Sequence, residues 1–234
     1  MIGFPDNTEN VWEDKASGLS VCKVSTSTSA FDAVLAIRNA VSQGRATNTD
    51  AHDECADIYL LTSHNKPIAT MRVNQAHRSA LDCEEFYPQS FIHQYRSIIC
   101  SASRFARHPS APADISLMRI LIREVRKDQY LSGMRVDLIN VHISMIAFYA
   151  RMGYKLLCNS HFIHPRLGSS SYVMFLISRP GVGALEAVFH PSPDYELLDK
   201  ITSELPACIQ RDCIKQTKDA IIRCCAQSDT QASS

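Results

Sequence analysis

The sequence has no excess of either charge: 24 Lys and Arg stand against 24 Asp and Glu. That balance removes any global pull toward nucleic acid or an anionic membrane, so a charged partner must be met locally. No apolar run reaches the length of a membrane span. The start is polar and acidic (Pro5-Asp6-Asn7-Thr8-Glu9-Asn10) rather than basic and then apolar, so no secretory leader is expected. The 9 cysteines sit at irregular spacings without a secretion signal, which reads as reduced thiols in a cytosolic protein rather than a disulfide framework. Cys208, Cys213, Cys224 and Cys225 include no Cys-x-x-Cys pair, and no metal site is expected from them. Glycine is scarce (8 residues) and hydrophobic residues make up 45% of the 234, the make-up of one substantial globular domain with an appendage.

What is present reads as an α/β chain. Residues 1–29 are polar and rich in Ser and Thr, with one β-like run at Leu19-Ser20-Val21-Cys22-Lys23-Val24. Ser29 is placed to cap a helix in which Phe31, Val34, Leu35, Arg38 and Val41 recur at helical spacing, closed by Gln43-Gly44. Arg38 falls in the apolar stripe of that helix, and a buried guanidinium requires a carboxylate partner. Asp57–Thr62 and Pro67–Val73 read as a hairpin around Ser63-His64-Asn65-Lys66. Residues 74–96 look irregular, anchored by Phe86-Tyr87-Pro88. A strand over 97–106, a helix over 115–129, a strand from Val136 to His142, a short helix around Tyr149 and a strand over 171–178 follow. The predicted order is helix, hairpin, long loop, strand, helix, strand, helix, strand: a mixed sheet with helices on its faces. From about 181 the chain changes character, with Pro- and Gly-punctuated segments and short amphipathic helices to 226, then a tail over 227–234 read as disordered.

The stretch Ala147-Phe148-Tyr149-Ala150-Arg151-Met152-Gly153-Tyr154 follows an apolar strand and stops a helix at a glycine, which takes the left-handed conformation at little cost. It resembles the last acceptor-side element of the GNAT acyltransferase superfamily, where Phe-Tyr-x-x-x-Gly-Tyr/Phe recurs. The resemblance implies the GNAT fold, a mixed, mostly antiparallel sheet with helices on both faces, over 30–180, here with a helical C-terminal extension over 181–226.

A polar constellation narrows the likeness. Arg38 on the first helix is followed by Asp50-Ala51-His52-Asp53, by Arg72 on a strand, and by Ser101-Ala102-Ser103-Arg104-Phe105 on the next strand. In order and type this resembles the N-acyl-amino-acid synthases and N-acyl-homoserine-lactone synthases, over roughly residues 30–178. The resemblance makes Arg38, Asp50, Asp53, Arg72 and Phe105 substrate-site residues, and Ser101, Ser103 and Arg104 part of the catalytic strand. Physically, arginines facing aspartates form a fixed, charge-assisted network that can wall an acceptor pocket or secure the 44–56 loop. Where the family carries a glutamate, this chain has Ser101, whose hydroxyl cannot take a proton from an ammonium near neutral pH. The open choices for the base are His142, Asp53, or a water held by Ser101 and Ser103. Tyr149 is the residue the resemblance implies as the acid for the leaving thiolate, with amides of a bulged strand polarising the thioester carbonyl.

On the donor side, acetyl-CoA-dependent relatives grip pyrophosphate with a glycine-rich loop at a helix N-terminus. Here Arg107-His108-Pro109-Ser110-Ala111-Pro112-Ala113-Asp114 holds no glycine, and each proline removes an N–H donor. Arg119, Arg123, Arg126 and Lys127 are predicted on one side of the next helix, opposite Leu117, Leu121 and Val125, a basic stripe suited to an acidic carrier protein. The expectation is a cytoplasmic N-acyltransferase without a bound cofactor. It would move a fatty acyl group from acyl carrier protein, or a long-chain acyl-CoA, to the amine of an amino acid or similar small acceptor. Acyl-homoserine-lactone synthesis, with Trp12 and Phe31 as aromatic candidates, and a non-catalytic GNAT-fold binding module are the alternatives.

Overall fold

The computed structural model describes residues 8–42, 49–157 and 160–178. Gly44, the extension over 181–226, the tail over 227–234 and their four cysteines lie outside the described residues. The described chain forms two compact units, one from residues 8–82 and 100–134, the other from 83–99 and 135–178.

The first unit is an antiparallel sheet of β1 (Glu9–Asp14), β2 (Leu19–Val24), β3 (Asp57–Ser63), β4 (Lys66–Gln75) and β5 (Ile99–Arg107), each paired with the next. It also contains α1 (Ala30–Ser42) and α3 (Ile115–Leu131); α2 (Gln89–Tyr95) belongs to the second unit. Residues of alternating parity take opposite sheet faces. On one face Cys22, Val24, Ile58 and Leu60 pack with Ala30, Phe31, Val34 and Ile37 of α1. On the other, the Tyr59 hydroxyl donates to Asp128 of α3 at 2.6 Å, and Gln129 Nε2 donates to Asp57 at 2.8 Å. With both faces covered, β3 and β4 are buried in unbroken runs, which is why they stand out as apolar segments. The predicted hairpin is present: His64 and Asn65 both have positive φ (47° and 63°), as a tight two-residue turn demands. The N-terminal residues add more than the single predicted strand. β1 pairs with β2 and β2 with β3, so strands within 9–24 join the sheet.

In the second unit β6 (Val136–His142) pairs along its whole length with β9 (Ser170–Ile177), and the short β7 (Lys155–Leu156) and β8 (Phe162–Ile163) also pair with β9. α4 (Ile146–Arg151) ends as expected, with Gly153 at φ 92° donating to Ala150 O at 3.1 Å. The 74–96 stretch is more ordered than predicted, since it holds α2, and the expected anchor is real: Tyr87 is buried and Phe86 stacks on Phe162 with centroids 4.1 Å apart. Every pairing within the two units is antiparallel. No described helix is long and apolar enough to cross a membrane.

Candidate active site

The predicted carboxylate for Arg38 is Asp53. Its oxygens accept from Arg38 Nη1 at 2.9 Å and Nη2 at 3.1 Å, a bidentate pair with both side chains 3% exposed. Asp53 sits where it does because Ala51–Asp53 is a single 3₁₀ turn closed by a capping box. The Asp50 carboxylate accepts from His52 N at 3.0 Å, and Asp53 Oδ2 accepts from Asp50 N at 3.2 Å. Local sequence thus presents two carboxylates from one turn.

Arg72, on β4, is fully buried (0% side-chain exposure) and gathers the rest. Its Nη1 meets Asp50, and Asp53 at 3.2 Å; its Nη2 meets Asp82 at 3.3 Å; its Nε donates to Ser103 Oγ at 3.0 Å. Arg104 Nη2 completes the chain on Asp50 at 2.7 Å. Three arginines therefore interleave with three aspartates, formally neutral as a set. Burial, opposed by Asp53 and reinforced by Arg72 and Arg104, lowers the pKa of Arg38, which still carries its charge. Asp82 was not foreseen. It lies in the loop after β4, where no periodicity or motif marks it.

Arg104 owes its position to a defect in the ladder. Thr70 pairs with Ala106 and Arg72 with Ser103, so Met71 alone stands opposite Arg104 and Phe105. That is a β-bulge, and Arg104 takes φ 53°, the left-handed position that a bulge of this kind usually gives to glycine. Such a residue costs about 1–2 kcal/mol, and strain of this sort gathers at functional sites. The bulge turns the arginine toward Asp50. Arg104 is also the most accessible of the three cations, at 18%. Ser101 is buried and stands in register opposite Asn74.

Two further site candidates belong to the second unit. His142 caps the turn Ile143–Met145: its Nδ1 accepts from Ser144 N at 3.3 Å and lies 2.8 Å from Ser144 Oγ. A neutral imidazole capping through Nδ1 carries its proton on Nε2. Tyr149 makes edge contacts with the Phe148 and Tyr154 rings at 5.2 and 5.5 Å. Burial, and then the charge of Asp137, raise its pKa, so it stays protonated through the neutral range. Tyr154 donates to that same Asp137.

The basic stripe on α3 needs one correction. Arg119 and Lys127 are exposed and Arg123 partly so, but Arg126 is buried at 1%, its Nη1 3.9 Å from Cys100 Sγ. The C-terminal half of α3 is enclosed on more of its circumference than the apolar pattern implied, with Glu124 and Gln129 buried too. Arg123 Nε pairs with Glu124 at 2.7 Å and its guanidinium lies 5.8 Å from the centre of the Trp12 ring. Trp12 is thereby engaged on the α3 face, and Phe31 packs in the α1 core.

The family model of the N-acyl amino acid synthase FeeM matches residues 30–176. Among solved structures, that of FeeM, an N-acyl amino acid synthase from uncultured soil microbes, superposes with a TM-score of 0.60 at 11% identity, covering 74% of this chain and 98% of that one. The acyl-homoserine-lactone (AHL) synthase LasI gives a TM-score of 0.56 at 11% identity over 75% of this chain and 97% of its own. MesI, a CoA-dependent acyl-homoserine lactone synthase, gives 0.52 at 16% over 68% and 85%. At these identities the structures show a shared GNAT-like fold. No curated protein sequence matches the chain.

Proposed function

Because the chain belongs to the FeeM family of N-acyl amino acid synthases, GNAT-like N-acyltransferases, we propose that it moves a fatty acyl group from an acyl-carrier-protein thioester to the amine of an amino acid. The observation that carries this reading is the placement of Arg104. It is the most accessible cation of the buried Arg/Asp network, held by Asp50 and turned by a strained bulge. A fixed guanidinium at the edge of a buried network suits the carboxylate of an amino acid, which it can bind in a planar, bidentate manner.

In the reaction the acceptor's neutral amine attacks the thioester carbonyl, a C–N bond forms, and the tetrahedral oxyanion collapses with loss of the C–S bond. The nitrogen gives up one proton and the sulfur gains one, so no cofactor is consumed. Arg38, Arg72, Asp50 and Asp53 keep the wall rigid while the acceptor is held. Tyr149, protonated across the neutral range, suits the role of hydrogen-bond donor to the departing thiolate. Since His142 spends Nδ1 on a cap, the amine's proton leaves to solvent in this reading. On the donor side, the glycine-free loop after β5 and the exposed Arg119 and Lys127 favour a carrier protein over a small CoA thioester.

Mass spectrometry of lipid extracts from an expressing bacterium tests the proposal. New N-acyl amino acids are expected. Acyl lactones in their place would assign homoserine-lactone synthesis, and an unchanged lipid profile would leave a binding module.

A further inference from the structure

β4 carries a buried amide that stands outside the ion-pair network. Asn74 lies two residues beyond Arg72, on the same sheet face, and is 1% exposed. Its Nδ2 donates to His52 O at 2.8 Å, inside the turn built by Asp50 and Asp53. That bond fixes the orientation of the carboxamide, because the reverse would set two carbonyl oxygens against each other. Asn74 Oδ1 is then left, buried, with no hydrogen-bond partner. In the β4–β5 register Asn74 stands opposite Ser101 and Arg72 opposite Ser103. Four polar residues thus sit at adjacent positions on the face that elsewhere carries the apolar α1 core.

A buried carbonyl oxygen without a donor is among the costlier features a fold can keep, and one that persists calls for a group that completes it. We propose that Asn74 Oδ1 receives an N–H of the acceptor's amine and is a substrate-binding residue of this site, an assignment that rests on the N-acyltransferase reading above. A carbonyl oxygen only accepts, so its complement must be a donor; a carboxylate or a thioester carbonyl is turned away. Since the oxygen is already desolvated, pairing with an amine costs it no water. A neutral primary amine has two N–H groups, so one can be held by Asn74 while the lone pair stays available for attack. No bond is made or broken at Asn74, and its amide takes no proton: it orients the nucleophile.

Steady-state kinetics on wild type, Asn74→Leu and Asn74→Asp test this, with the amine varied at saturating acyl donor and the reverse. Both variants lose the bond to His52 O, but only Asn74→Asp keeps an oxygen at the Oδ1 position, so their difference isolates that atom. Asn74→Leu is expected to raise the amine KM at least tenfold and leave the acyl-donor KM within twofold. Asn74→Asp is expected to bring the amine KM back toward wild type. An unchanged amine KM in Asn74→Leu, or equal amine KM values in the two variants, overturns the assignment, the oxygen then being served by an internal water. If Asn74→Leu does not fold, Asn74→Asp against Asn74→Ser makes the same comparison, with the same equality overturning it. A wild-type protein inactive on every amine removes the underlying acyl-transfer reading and this assignment with it, whereas an active wild type with an indifferent Asn74→Leu removes this assignment alone.

Discussion

Replacing Arg38 by alanine is the sharpest test of how the site is held together. The guanidinium and the Asp53 carboxylate are each 3% exposed and joined by two hydrogen bonds, so the substitution leaves a buried carboxylate with only its remaining contacts to Arg72 at 3.2 Å and Asp50 N at 3.2 Å. Breaking one side of a buried pair costs about 3–5 kcal/mol. For a domain of this size each kcal/mol moves the midpoint by about 2–4 °C, so the melting temperature should fall by about 6–20 °C. Asp53→Ala should cost at least as much, because it removes the bidentate partner of Arg38 and one partner of Arg72. In the double variant the losses should not add, and a coupling of about 0.5–3 kcal/mol is expected for residues in direct contact. Differential scanning calorimetry of the four proteins reads all of this. Strictly additive losses, or an Arg38→Ala protein that melts with wild type, would refute the reading of Arg38 and Asp53 as a coupled buried pair that stabilises the site.

Arg104→Gly and Arg104→Ala should both abolish acyl transfer, yet the glycine variant should melt higher, equivalent to about 1 kcal/mol, because only it is relieved of the left-handed backbone; an active variant, or an alanine form as stable as the glycine form, would contradict the bulge argument. Arg119→Glu with Lys127→Glu should raise the KM for acyl carrier protein more than about tenfold at low salt, and the gap should shrink as salt screens it; a salt-independent effect would point elsewhere. His142→Asn retains a capping oxygen and should keep kcat within about threefold, whereas a loss of about 10²-fold would identify the imidazole as the base. Tyr149 has a raised pKa, while the unfolded chain's tyrosine ionises near pH 10. Its contribution to stability is therefore complete below about pH 10 and lost as the pH climbs toward the folded value. Tyr149→Phe should flatten the alkaline fall in melting temperature, and an unaltered alkaline limb would count against the raised pKa.

Much of the framework is written in local pattern. The α1 stripe, the hairpin with its two-residue turn, the strand–helix–glycine element at 136–154 and the ordered set Arg38, Asp50, Asp53, Arg72, Ser103, Arg104 could be read from spacing and type, because helix and strand periods and turn chemistry act over a few residues. Even the need of Arg38 for a carboxylate followed from its place in an apolar stripe. Which carboxylate could not, since Arg38 and Asp53 are 15 residues apart, and Arg104 and Asp50 are 54 apart. Those partnerships are decided by sheet register and by where α1 lies. The same holds for Asp82, which no motif flags, and for β1, a polar strand that the sheet recruits by pairing rather than by hydrophobicity. The helical wheel could not foresee that Arg126 is buried, because a wheel gives a direction and only packing gives the depth of cover. The bulge at Arg104 lacks the glycine that would have announced it, and the orphaned oxygen of Asn74 exists only because the turn at Asp50–Asp53 claims the other half of its amide. Periodicity set the elements, and long-range pairing of strands and charges decided how they became a site.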